Sequence, residues 1–161
     1  MNPNIKVSSI DHSAKLRASL ASLGRKRVLV GVPEEKNDRR SGEITNAGLV
    51  YLHTHGSALQ HIPPRPIIEP AIEAADNKAM ITAKLGEAAK SALNGQAPQT
   101  TQALNQAGML GRNAAIRWFT DPRNHWAANS PRTVAEKGSD RPLIDTAQMR
   151  RSITYVVDEN K

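Results

Sequence analysis

The sequence predicts an α+β fold, a small antiparallel or mixed sheet packed with two long helices and short flanking helices and joined by extended loops. Three observations carry the prediction. Two short β-branched runs lie toward opposite ends of the chain, at 27–32 and 153–157. Two long stretches, near 67–93 and 99–119, repeat apolar residues at helical spacing, and polar segments rich in Pro and Gly separate these elements. At 161 residues without an internal repeat, the chain is read as a single domain, 1–161.

The first element is a short amphipathic helix over Ser13–Leu23, with Leu16, Leu20 and Leu23 on one face, Ser13 as N-cap and Gly24 as C-cap. Arg27 to Val32 then reads as a buried strand that Pro33 ends. Residues 34–43 are polar or Gly, a flexible excursion from the fold. Helical spacing resumes at Thr45, through Ala47, Val50 and Tyr51, until Gly56-Ser57.

Three prolines in four residues, Pro63, Pro64 and Pro66, fix an extended connector or arm around Arg65 that no helix interior or central strand accepts. Ile68, Ile72, Ala75, Ala79 and Ala83 then mark one long helix from near Ile67 or Pro70 to Leu93, stopped by Asn94-Gly95. Ala107, Leu110, Ala114 and Trp118 align on a second, whose Ala and Gly content lets neighbouring backbones approach closely. Residues 121–141 read as a long loop punctuated by Pro122, Pro131 and Gly138 and docked by Trp126, while Trp118 anchors the helical core.

The closing stretch is a very short capped helix and a strand. Asp145 is placed to cap, with Gln148 three residues on as the second half of a capping box. Ile153, Tyr155 and Val157 alternate with Thr154 and Val156, presenting one apolar face, and this strand is expected to pair with 27–32.

The composition bounds function. Apolar residues make up 39% but aromatics only 3%, so the apolar content is largely Ala and the core should be thin, favouring burial against other subunits. The net charge of +7 is compatible with nucleic acid, an acidic protein surface or an anion. The basic residues lie in short clusters, however, and few aromatics are present to stack on bases. The absence of cysteine removes thiolate chemistry and disulfides and fits a reducing cytoplasm. The N-terminal stretch lacks a signal-peptide pattern, and no run approaches the roughly 18 apolar residues of a span, so no membrane partner is expected.

No catalytic constellation emerges, and neither an enzyme nor a cofactor is expected. His53 and His55 lie about 200° apart on a helix and do not converge with His61 or His125 on a metal. Glu69 and Glu73 share a helix face without a spaced partner, the usual pattern of solvated carboxylates. The isolated glycines form no phosphate loop or dinucleotide fingerprint.

Four pieces occur in order: Val30-Gly-Val-Pro33, Thr45 to Ser57 (Thr-Asn-Ala-Gly-Leu-Val-Tyr-Leu-His-Thr-His-Gly-Ser), Ile62-Pro-Pro-Arg-Pro-Ile-Ile-Glu-Pro-Ala-Ile72, and Pro142-Leu-Ile-Asp-Thr-Ala-Gln-Met-Arg-Arg-Ser-Ile153. Together, over about residues 26–157, they resemble the small neck and tail-completion (head-tail joining, virion morphogenesis) proteins of tailed bacteriophages. That family's pattern has a strand ending Val-Gly, a helix ending Tyr-Ile-His-Glu-x-Gly, an Ile-Pro-x-Arg-Pro-Phe-Leu segment and a closing Leu-Ile-Asp-Thr-Gly-x-Leu-Arg-x-Ser-Ile. Here Thr54-His55 replaces the acidic and aromatic pair, Ile67-Ile68 the Phe-Leu, and Ala147 the Gly, which suggests a helical position and not a left-handed one at 147.

The resemblance implies a structural virion protein of the head-to-tail connector, assembled in the bacterial host cytoplasm. Its partners would be identical subunits in a ring, a hexamer, around the channel through which DNA passes, together with other neck, connector and tail proteins. The residues expected at subunit or partner interfaces are Arg39, Arg40, Ile62, Pro63, Pro64, Arg65, Pro66, Leu143, Asp145, Arg150 and Arg151. A channel lined with Lys and Arg would grip phosphates, so the arginine pairs are expected to face neighbouring rings. The rival reading is a stand-alone basic nucleic-acid-binding module.

Overall fold

The computed structural model describes residues 13–38, 44–144 and 147–159. The fold is α+β, with two long helices packed against a two-stranded antiparallel sheet. Helix α1 (Ser13–Gly24) leads into β1 (Lys26–Gly31), which pairs with β2 (Thr154–Glu159). The register runs from Lys26 opposite Glu159 to Gly31 opposite Thr154, so the expected joining of the two ends holds, with β1 starting one residue earlier than its sequence pattern. The Val residues of both strands and Tyr155 of β2 suit a half-buried pleated surface.

Between the strands lie α2 (Asn46–His55), α3 (Ile68–Glu73), α4 (Ala75–Leu93), α5 (Ala97–Trp118), α6 (Pro131–Lys137) and α7 (Gln148–Ser152). Thr45 caps α2, its hydroxyl accepting from the Gly48 amide at 3.1 Å. Helix α5 begins with Pro98 in its first turn, where a missing N–H costs nothing.

Helix α5 is the hub, packing against α3, α4 and both strands. Its small residues set the approach. A Cβ on Gly108 would lie 2.2 Å from the Tyr155 ring, and one on Gly111 would lie 2.9 Å from the Val30 side chain. Of the twelve buried apolar residues described, six are alanines, which is the thin core the composition implies. Three of the five aromatic side chains gather at the C-terminal end of α5. Trp118 and Phe119 are buried there, and Trp126 meets Phe119 edge-on at 5.8 Å while its indole N–H donates to the Pro66 carbonyl at 3.1 Å.

Five expectations need correction. The helix expected over 67–93 is broken at Ala74, whose ψ of 129° leaves the helical region. The buried Asn77 side chain secures the break by donating to the Ala71 carbonyl at 2.8 Å. The long loop 121–141 contains a 3₁₀ turn (Pro122–Asn124) and α6, which is capped by Ser130 and closed by left-handed Gly138. The excursion 34–43 begins in order. Glu34–Lys36 forms a 3₁₀ turn, and Asn46 donates to the carbonyls of Lys36 and Asp38.

Ala147 is left-handed, with φ 57° and ψ 13°, and not helical as its replacement of Gly suggested. Helix α7 starts at Gln148, which puts Gln148 in the first helical position and Ala147, not position 145, at the N-cap. Asp145 lies outside the described residues.

Candidate functional site

The four segments that carry the family resemblance meet at one place. A single apolar cluster is built on Ile67, Ala115, Phe119, Met149 and Ile153, and Val30, Val32, Leu49, Val50, Ile68, Leu143 and Ile144 pack around it. The strand end, the helix after the excursion, the proline-arginine arm and the closing segment therefore form one joint over the C-terminal half of α5.

Arg65 is the fastener of this joint. Its amide donates to the His53 carbonyl at 2.6 Å, tying the arm to the last turn of α2. Its guanidinium is buried, donating through Nε and Nη2 to the Ala127 carbonyl (3.0 and 2.7 Å) and through Nη2 to the Ala128 carbonyl (3.0 Å). One planar fork thus fixes the segment beyond Trp126 to the proline arm. Gly56 (φ 72°) permits the arm's return, because a Cβ there would lie 2.7 Å from the Ile62 carbonyl oxygen.

The expected interface residues fall into three groups. Pro64 and Pro66 are exposed on the arm, with Pro63 half-buried and Ile62 bridged to Ser57. Arg65, Leu143 and Arg150 are taken up within the chain. Leu143 joins the core cluster with φ 57°, and the half-buried Arg150 donates from Nε to the Ile116 carbonyl at 3.1 Å with its guanidinium over the Phe119 ring. Arg151 is exposed on α7, whereas Arg39, Arg40 and Asp145 lie outside the described residues.

Beside the fastener a cavity opens between α2, the proline arm, α6 and the start of α7, lined among others by His53, Arg65, Asn129, Lys137 and Gln148. Burial first, then the nearby charges of Arg65 and Lys137, hold the His53 imidazole below its ordinary pKa, and burial lowers that of Arg65. The sequence pattern argued only against a metal site at His53, and nothing local signalled its long-range meeting with Arg65 and Lys137. Among the described residues, no group of three or more His, Asp or Glu side chains is arranged to hold a metal ion, and no helix is long and apolar enough to cross a membrane.

No protein-family model, curated protein or solved structure matches this chain. The functional reading therefore stands on the residues and their geometry.

Proposed function

We propose that this protein is a structural subunit of the head-to-tail connector of a tailed bacteriophage, forming a ring around the DNA channel and joining capsid to tail in the virion. The observation that carries the reading is the convergence at the joint. Segments spread from Val30 to Ile153, chosen only for their likeness to neck proteins, all contribute to one buried cluster. The segments that carry the resemblance thus belong to one folded unit with a shared core.

Two further features support an assembling subunit. The described sheet has two strands, each with an unpaired edge, and its outer face carries the cross-strand pair Leu29 and Val156, 49% and 42% exposed. Such a sheet is marginal alone and gains by burial against another copy. Four of the five aromatic residues are packed inside the fold, leaving Tyr51, at 68% exposed, as the one available for stacking, a poor platform for a stand-alone nucleic-acid binder.

Electron microscopy of particles made without the protein tests the proposal. Full heads separated from complete tails are expected, and normal infectious particles would end the reading. Purified protein should also remain a closed oligomer without nucleic acid. A monomer whose DNA affinity falls steeply with salt, with a slope near 0.9 per neutralised phosphate, would favour the basic module instead.

A further inference from the structure

The cavity beside Arg65 has a volume of about 230 Å³, many times the roughly 30 Å³ that one water occupies in the liquid. Three of its lining residues, His53, Arg65 and Lys137, are basic, and no carboxylate is among the described residues that line it. That imbalance is unusual for a partly enclosed site.

Among the described residues these charges also have no ion-pair partner: none of the ion pairs involves Arg65, Lys137 or His53. The buried Arg65 guanidinium is met by the carbonyls of Ala127 and Ala128, and Lys137 Nζ donates to the Arg141 carbonyl at 2.9 Å. Carbonyl dipoles satisfy the hydrogen-bonding geometry but leave the net charge in place, and a desolvated charge without a counter-ion is costly. The His53 side chain lines the same cavity, while its Nδ1 atom is buried away from solvent without a hydrogen-bond partner.

We propose that this cavity is an oxyanion-binding site, accepting one phosphate or carboxylate group whose oxygens are met by Arg65, Lys137 and His53. An anion there supplies the missing counter-charge for Arg65 and Lys137 and lies beside the imidazole. Its source is either a free inorganic anion or a carboxylate presented by another chain, and the two share this recognition chemistry. The inference does not rest on the connector role and stands or falls separately from it.

The test is NMR of the histidine side chains of the full chain, titrated at constant ionic strength with sodium phosphate or sodium acetate against chloride. A saturable shift is expected at His53, with His55, His61 and His125 as internal references. The bound anion should raise the His53 pKa back toward the ordinary value of about 6.5 and bind more tightly as pH falls through it, because protonated His53 joins Arg65 and Lys137 as a cation facing the site. Tighter binding of phosphate would identify a tetrahedral free anion, and tighter binding of acetate a carboxylate.

Because Arg65 also holds the fold, the variant of choice is Lys137→Gln. It should fold normally and lose about tenfold in affinity, as expected for one hydrogen bond to a charged group. No saturable shift with either anion, equal shifts at all four histidines, or undiminished binding by Lys137→Gln would overturn the proposal.

Discussion

Gly108→Ala tests whether the helix-to-sheet distance is set by the missing side chain. The added Cβ would lie 2.2 Å from Tyr155 Cδ2, 2.7 Å from Cγ and 2.9 Å from Cε2. Ordinary carbon contacts are about 3.5–4.0 Å, so the ring or the whole of β2 must retreat by more than about 1 Å. Neither move is free, because Tyr155 is paired with Val30 in the sheet and Val30 in turn packs against Gly111.

Overpacking of a tight site costs about 1–3 kcal/mol, and a clash this deep belongs in the upper half of that range. The helix itself gains about 1 kcal/mol from Gly→Ala, so a net loss of about 1–2 kcal/mol is expected. Gly86→Ala in α4, where an added Cβ meets nothing within 4 Å, is the matched control and should gain up to about 1 kcal/mol. Urea unfolding at fixed protein concentration should therefore separate the two variants by about 2–3 kcal/mol, and thermal unfolding by about 4–12 °C for a chain of this size. Truncating Tyr155 in the Gly108→Ala background should recover part of the loss as a coupling energy of at least about 1 kcal/mol. Equal stability of Gly108→Ala and Gly86→Ala would show that the contact does not set the spacing.

Ala147 adopts a left-handed conformation that L-residues occupy at a cost of about 1–2 kcal/mol, so Ala147→Gly should raise stability by about 1 kcal/mol once the entropy of glycine in the unfolded chain is deducted; urea midpoints give the answer. Asp121 accepts hydrogen bonds from the Arg123 guanidinium and backbone amide, which pull its pKa down to about 2. Its contribution to stability is present above the unfolded value of about 3.9 and lost as pH falls toward 2; carboxyl NMR should place its midpoint there, and Arg123→Gln should raise it.

The elements legible in the sequence are those whose signal is local and repeated. The apolar rows of α1, α2 and α5 and the alternation in β2 each required several residues to agree, and the pairing of β1 with β2 followed from there being few strands to join. The break at Ala74 was hidden because no Gly or Pro marks it. It depends on one buried Asn77 side chain, which in sequence looks like any polar helix residue. Helix α6 was missed although Ser130, Pro131 and Gly138 supply its cap, first turn and stop, because it lacks an apolar stripe to outweigh a proline-rich surrounding. At the joint, the flanking prolines made Arg65 conspicuous but left its direction open. Which way the guanidinium turns is decided by the Ala127 and Ala128 carbonyls, more than sixty residues away.

Burial along α5 is uneven, and this bears on how the chain would assemble. Its C-terminal half carries Ala114, Ala115, Trp118 and Phe119 against the joint, where large side chains interlock and arginines tie segments to carbonyls. Toward its N-terminal end the buried residues are Thr100, Ala103, Leu104 and Ala107, with no aromatic among them. Leu16 and Leu20 of α1, Leu85 and Leu93 of α4 and Met109 of α5 are each more than 40% exposed, and the cluster beneath them rests on Ala88, Ala103 and Leu104. Apolar surface left in water contributes nothing to the monomer, whereas burying it yields about 25 cal/mol per Å². Exposed apolar side chains are not confined to that end, because Ile44, Tyr51 and Leu59 are exposed around α2 and Leu29 and Val156 on the sheet. If the protein forms the proposed closed ring by heterologous contacts, each copy meets its neighbours through two different surfaces, and these exposed apolar side chains are what such contacts can cover.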